Sequence, residues 1–110
     1  MLDARLFLLQ RLTALVMAPL VLGHLAVMIY AIQGGLSAAE ILGRTQGSVF
    51  WFAFYGVFVA AVAIHGAIGL RAIAFEWAGL KGSALNWVMW GAGTILFVMG
   101  ARAVWSVTVV

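Results

Sequence analysis

His65 is the residue in this chain best placed to do chemistry. It sits in Ala63-Ile64-His65-Gly66-Ala67-Ile68-Gly69-Leu70-Arg71, inside a long apolar stretch. An ionisable imidazole within such a stretch is costly and marks a functional site by default. Ala61 and Gly69, one helical turn to either side, are small, and so is Gly66. That pattern predicts a cut-away helix face on which a flat, bulky group can approach the ring nitrogen. A haem is such a group, and histidine is a standard axial ligand for its iron. His24 is the second candidate ligand. Its helical neighbours Leu20, Val27 and Met28 are bulkier, so a packing or hydrogen-bonding role competes more strongly there. The methionines read as packing residues.

Arg11 and Arg71 are the next candidates. Both fall near the same end of their apolar runs, and a guanidinium pairs bidentately with a carboxylate such as a haem propionate. The competing role is snorkelling to lipid phosphates. Thr13, two residues after Arg11, offers a hydroxyl in the same region. Arg102 lies inside the last apolar run and either meets a propionate at the other membrane face or reaches that interface.

The elements that position these residues follow from composition. The chain has 110 residues, 66% hydrophobic and 8% charged. Apolar runs of about 20 residues read as membrane-spanning helices. Three are expected, at roughly 9–32, 49–72 and 85–108. The expectation is therefore an all-α membrane protein, residues 1–110 forming one three-span anchor domain. There are no cysteines, so disulfides, thiolate metal sites and cysteine nucleophiles are excluded. Only three carboxylates occur, none deep in a span, which disfavours a membrane enzyme acting on a soluble substrate. No catalytic residues and no nucleic-acid partner are expected.

Local signals set the ends. Asp3 is a candidate N-cap for the first helix, and Gly34-Gly35 ends it. Pro19 removes one donor from that helix and predicts a kink. Ser37-Ala38-Ala39-Glu40 is a capping-box pattern and predicts a short interfacial helix over about 38–42. Gly79 and Gly82 bracket Lys81 in a tight turn, and Ser83 or Asn86 is the candidate cap of the last span. Arg5, Arg11, Arg71 and Lys81 flank one membrane face, Arg44 and Arg102 the other. The positive-inside rule then predicts a cytoplasmic N-terminus and an external C-terminus. The first apolar run is longer than a signal-peptide core, so no cleaved leader is expected.

Antiparallel spans also fix relative depth. Taking the span centres near residues 20 and 60 and about 1.5 Å per residue, His24 and His65 differ in depth by roughly 12 Å. Axial ligands of one haem must share a depth. The two histidines are therefore expected to serve different haems, each with a second ligand from another chain.

The segment His65-x-x-x-Gly69-x-Arg71-x-x-x-x-Glu76 resembles the second-helix signature of the cytochrome b membrane anchor of succinate dehydrogenase and fumarate reductase. Gln10-Arg11-Leu12-Thr13-Ala14 resembles that family's first-helix motif, His-Arg-x-Ser-Gly, with Gln10 in place of the histidine and Ala14 in place of the glycine. Phe7 stands where single-haem members commonly carry a quinone-binding serine. The resemblance implies an anchor for a flavoprotein subunit and an iron–sulfur subunit, with quinone as the electron partner. It implies His65 as a haem b axial ligand, Arg11 and Thr13 at the quinone pocket and a propionate, and Arg71 at a propionate or the subunit interface. His24 has no counterpart in single-haem anchors. Two-haem members do carry a ligand in the first helix, and there each haem takes one ligand from each half of the anchor. The expectation is thus a two-haem site shared with a second membrane-anchor subunit, with a homodimer as the symmetric alternative. The chain is not expected to catalyse anything alone. A bacterial or archaeal cytoplasmic membrane is the expected location. The competing readings are the haem b anchor of another membrane oxidoreductase, and a haem-free scaffold or transporter component.

Overall fold

A computed structural model describes residues 3–109. Its first helix, α1, runs Ala4–Gly34. Asp3 starts it, its Oδ1 accepting the Leu6 N–H at 2.9 Å. The helix continues through Pro19. It ends at Gly35, whose φ of 121° is strained for any residue with a Cβ. The glutamate of the following turn also packs where that Cβ would lie.

The second helix, α2 (Ala38–Thr45), carries the full capping box. The Ser37 hydroxyl accepts the Glu40 N–H, and Glu40 accepts the Ser37 N–H, each at 3.2 Å. The helix extends one turn beyond the expected segment and is tied down at its end. Thr45 donates its hydroxyl to the Val107 carbonyl at 2.6 Å, and Gly47 N–H donates to Thr108 at 2.7 Å.

Two long helices follow, α3 (Val49–Glu76) and α4 (Ser83–Thr108). Ser48 caps α3 by accepting the Trp51 N–H at 3.2 Å. The start of α4 differs from expectation. Gly82 occupies the cap position with φ 65°, and no side chain caps that end. Ser83 is instead the first helical residue, because the left-handed turn at Gly82 brings the chain into the helix one residue earlier than a serine cap would.

The central helix is α3, which packs against both α1 and α4. Its buried face is built from Ala61, Ala63, Ala67 and Ile68. Small residues let the α3 and α4 backbones approach closely. A Cβ on Gly93 would lie 3.2 Å from that of Ala67, and one on Gly100 would collide with the branched side chain of Val59. Most other apolar side chains face outward; Leu15 is 72% and Trp87 79% exposed. The molecule measures 47 × 23 × 23 Å, long enough to cross a bilayer with its headgroups. All three long helices are long and apolar enough to span. Below, the end bearing Asp3, Glu76 and Gly82 is called proximal, and the end bearing α2 distal.

Candidate functional site

His65 lies on α3 toward the proximal end, half-buried against α1. Its Nδ1 is 3.3 Å from the Gln10 carbonyl oxygen and 3.2 Å from the Thr13 hydroxyl. A carbonyl only accepts, so the contact with Gln10 is a hydrogen bond in the tautomer that carries its proton on Nδ1. Buried Thr13 completes the arrangement. Its own proton goes back to the Leu9 and Gln10 carbonyls, at 2.9 and 3.0 Å, leaving its oxygen to face the imidazole. In that tautomer the lone pair of the ring is left on Nε2. A histidine that donates one ring N–H to a carbonyl and offers the other nitrogen is the usual arrangement of a metal-bound imidazole.

The small residues around His65 do something other than expected. Gly66 faces α4, where a Cβ would sit 3.0 Å from Leu96. Gly69 faces α1, with the Gln10 side-chain amide 3.5 Å from the equivalent point. These positions are filled by neighbouring helices of the chain itself and do not form an open face. Gln10 matters more than its sequence position suggested. It supplies the carbonyl that orients His65 and covers Gly69, and its Oε1 is buried without a hydrogen-bond partner. One signal was available: Gln10 stands three residues before Thr13, on the same helix face.

Arg11 is not gathered into this cluster. Two residues from Thr13 on a helix means opposite sides. Thr13 is buried, whereas Arg11 is exposed, its guanidinium 5.8 Å from the Phe7 ring. Arg71 is half-buried on α3, and Arg102 is exposed on α4.

His24 occupies a different setting, near the distal end of α1. Its ring lies edge-on to Tyr55 and Phe58 of α3, with centroids 5.6 and 5.5 Å away. Gly23 makes this approach feasible, since any Cβ there would press on Phe54 at 2.9 Å. His24 Nδ1 is buried and has no hydrogen-bond partner. Beside it opens a cleft of about 1090 Å³ between α1 and α4, lined by His24, Arg44, Tyr55, Phe58, Val59 and Gly100 among others. The room absent from the α1 surface is provided by the gap between helices.

The contacts also fix relative depth. His24 is level with Tyr55–Phe58, and His65 lies seven to ten residues further along α3. At about 1.5 Å per residue the two rings are roughly 10–15 Å apart along the axis. One metal centre cannot use both. Among the described residues no group of three or more His, Cys, Asp or Glu side chains converges.

Fold and site together define an all-α integral membrane protein with one histidine at each of two depths. Its sequence matches the model of the succinate dehydrogenase/fumarate reductase transmembrane subunit family over residues 1–101, and the chain belongs to that family. No curated protein and no solved structure matches it. The chain is accordingly a subunit of a succinate:quinone oxidoreductase and works in a membrane complex with other subunits.

Proposed function

We propose that this chain is a haem b-carrying anchor that binds quinone and passes electrons between the iron–sulfur subunit and that quinone. The observation that carries the reading is the Nδ1–H of His65 held on the Gln10 carbonyl, with Nε2 left as a ligand. Haem b, when bound, supplies one-electron redox chemistry. This chain's residues hold and orient it. His65 would be the proximal axial ligand and His24 the distal one. Thr13 would act by fixing the His65 ring, and Arg11, turned outward, would serve the quinone pocket against a neighbouring subunit. Arg71 would pair with a proximal propionate or meet the subunit interface.

The open cleft beside His24 fits a group supplied from outside the chain. So does α1 as a whole, whose most apolar stretch has no buried residue. A second anchor subunit would provide the remaining ligands and cover this helix, and an iron–sulfur and a flavoprotein subunit would complete the enzyme. The chain would have no catalytic activity alone. The positive-inside distribution supports an N-terminus in the cytoplasm of a bacterium or archaeon and an external C-terminus.

The test is haem b per flavin in the purified complex, with a redox titration of the reduced spectrum. Two haems with separate potentials are expected. One haem would return His24 to packing. A complex that contains flavin but no haem b would overturn the cytochrome reading and leave a haem-free quinone-linked anchor.

A further inference from the structure

Arg44 is a cation that meets no carboxylate among the described residues. It closes the distal end of the cleft that His24 lines. Its guanidinium is fixed in two ways: Nη2 donates to the Gly35 carbonyl at 2.7 Å, and Cζ stacks 5.4 Å from the Tyr30 ring centroid. The carboxylate one turn earlier on α2, Glu40, is engaged with the Ser37 N–H. Among the described residues no carboxylate pairs with Arg44. One hydrogen bond leaves most of the guanidinium's five N–H donors available in a rigid fork. A fixed, half-buried guanidinium at the mouth of an apolar cleft is built to receive an oxyanion bidentately.

Its position selects which oxyanion. Tyr30, under Arg44, is six residues past His24, roughly 9 Å of helical rise toward the distal end. The cleft walls between them are apolar side chains, among them Val27, Ala31 and Val104. An occupant bonded at His24 must therefore be apolar over most of its length and anionic at its far edge. We propose that Arg44 clamps a propionate of the haem ligated by His24, so that the haem lies with its carboxylate edge toward α2. This rests on His24 being an axial ligand. A lipid phosphate offers the same chemistry from the bilayer, and the experiment separates the two.

The complex carrying Arg44→Gln is titrated spectroelectrochemically beside the wild type and His24→Ala. A positive charge at the haem edge favours the reduced state, which carries one positive charge fewer. Arg44→Gln should therefore keep both haems, lower the midpoint potential of the distal haem and leave the proximal one unchanged. Its redox difference infrared spectrum should show shifted propionate carboxylate bands. Should Arg44→Gln fail to assemble, Arg44→Lys keeps a charge and a donor for Gly35 but loses the fork. A smaller fall in the distal potential, with the same bands shifted, is then expected. Unchanged potential and bands, in a complex from which His24→Ala removes one haem, would assign Arg44 to lipid phosphate and overturn the clamp alone. Two haems persisting in His24→Ala would overturn the ligand reading and the clamp with it.

Discussion

The two histidines show two ways of preparing a membrane-buried imidazole. At the proximal site the chain completes the ring's surroundings itself: Gln10 and Thr13 on α1 take the Nδ1 side, and Gly66 and Gly69 are filled by α4 and α1. At the distal site the chain supplies only walls. His24 lies between two aromatic rings, its Nδ1 is buried without a partner, and a large cleft opens beside it. An unsatisfied buried polar atom costs on the order of 1–3 kcal/mol; each site carries one, Gln10 Oε1 at the proximal end and His24 Nδ1 at the distal end, but only at the distal end does it belong to the imidazole itself. The proximal ring is held before any partner arrives. The distal ring has aromatic contacts, and its Nδ1 has no hydrogen bond to hold it.

The most drastic way to break this comparison is to remove each ring in turn. His65→Ala should eliminate the proximal haem and His24→Ala the distal haem, each leaving the other's spectrum and potential in place. Haem per flavin, read with the redox titration, checks both. If either substitution removes both haems, the sites are not independent and the depth argument fails.

Packing gives the next largest contrast. Gly100 borders the distal cleft against Val59, whose branched side chain is stiff in a helix and cannot yield. Gly100→Ala should destabilise the α3–α4 contact by about 1–2 kcal/mol, overpacking outweighing the roughly 1 kcal/mol gain in helix propensity. Gly66→Ala, at the proximal site, meets the flexible end of Leu96 and should be close to neutral. Thermal unfolding of the two variant complexes measures the difference. Equal losses would mean that the helices adjust as easily at one end as at the other.

Thr13→Val tests the proximal site more finely. Valine keeps the shape but removes the oxygen facing His65, while the Gln10 carbonyl remains to hold the ring. Losing one such supporting contact typically costs at least about tenfold in affinity at a metal-bound histidine. Haem retention during graded detergent washing should fall about tenfold at the proximal site and not at all at the distal one. Equal retention at both sites would show that Gln10 alone orients the ring.

These contrasts mark what could be read from the sequence. Asp3, Ser37 and Glu40 act within three residues of their partners, and their roles were legible because capping is local chemistry. The different depths of His24 and His65 were legible because helical rise is constant. The rotation of each helix about its axis was not. All three spans are apolar on every side, so no polar stripe shows which face meets which neighbour. For that reason the sequence groups Thr13 with Arg11 although they point to opposite sides, presents Gly66 as space although Leu96 fills it, and marks Gln10 only as a departure from a motif. The start of α4 is illegible for a related reason: its entry depends on the positive φ of Gly82, which another glycine nearby, Gly79, adopts as well.

The smallest expected effect concerns α2, which the proximal site does not touch. This helix has only eight residues, so its capping box contributes a large share of its stability. Ser37→Ala removes the acceptor for Glu40 N–H and should cost about 1 kcal/mol. Because Arg44 projects from the same helix to Gly35 and Tyr30, fraying of α2 loosens the distal end of the cleft while Gln10, Thr13 and His65 stay as they are. Hydrogen exchange should therefore accelerate about fivefold at the α2 amides, the equivalent of about 1 kcal/mol. Amides in the first turns of α1 and around His65 should keep their protection. Faster exchange at the proximal end would mean that the two histidine sites share one cooperative unit, and the contrast between a self-completed site and an open one would not hold.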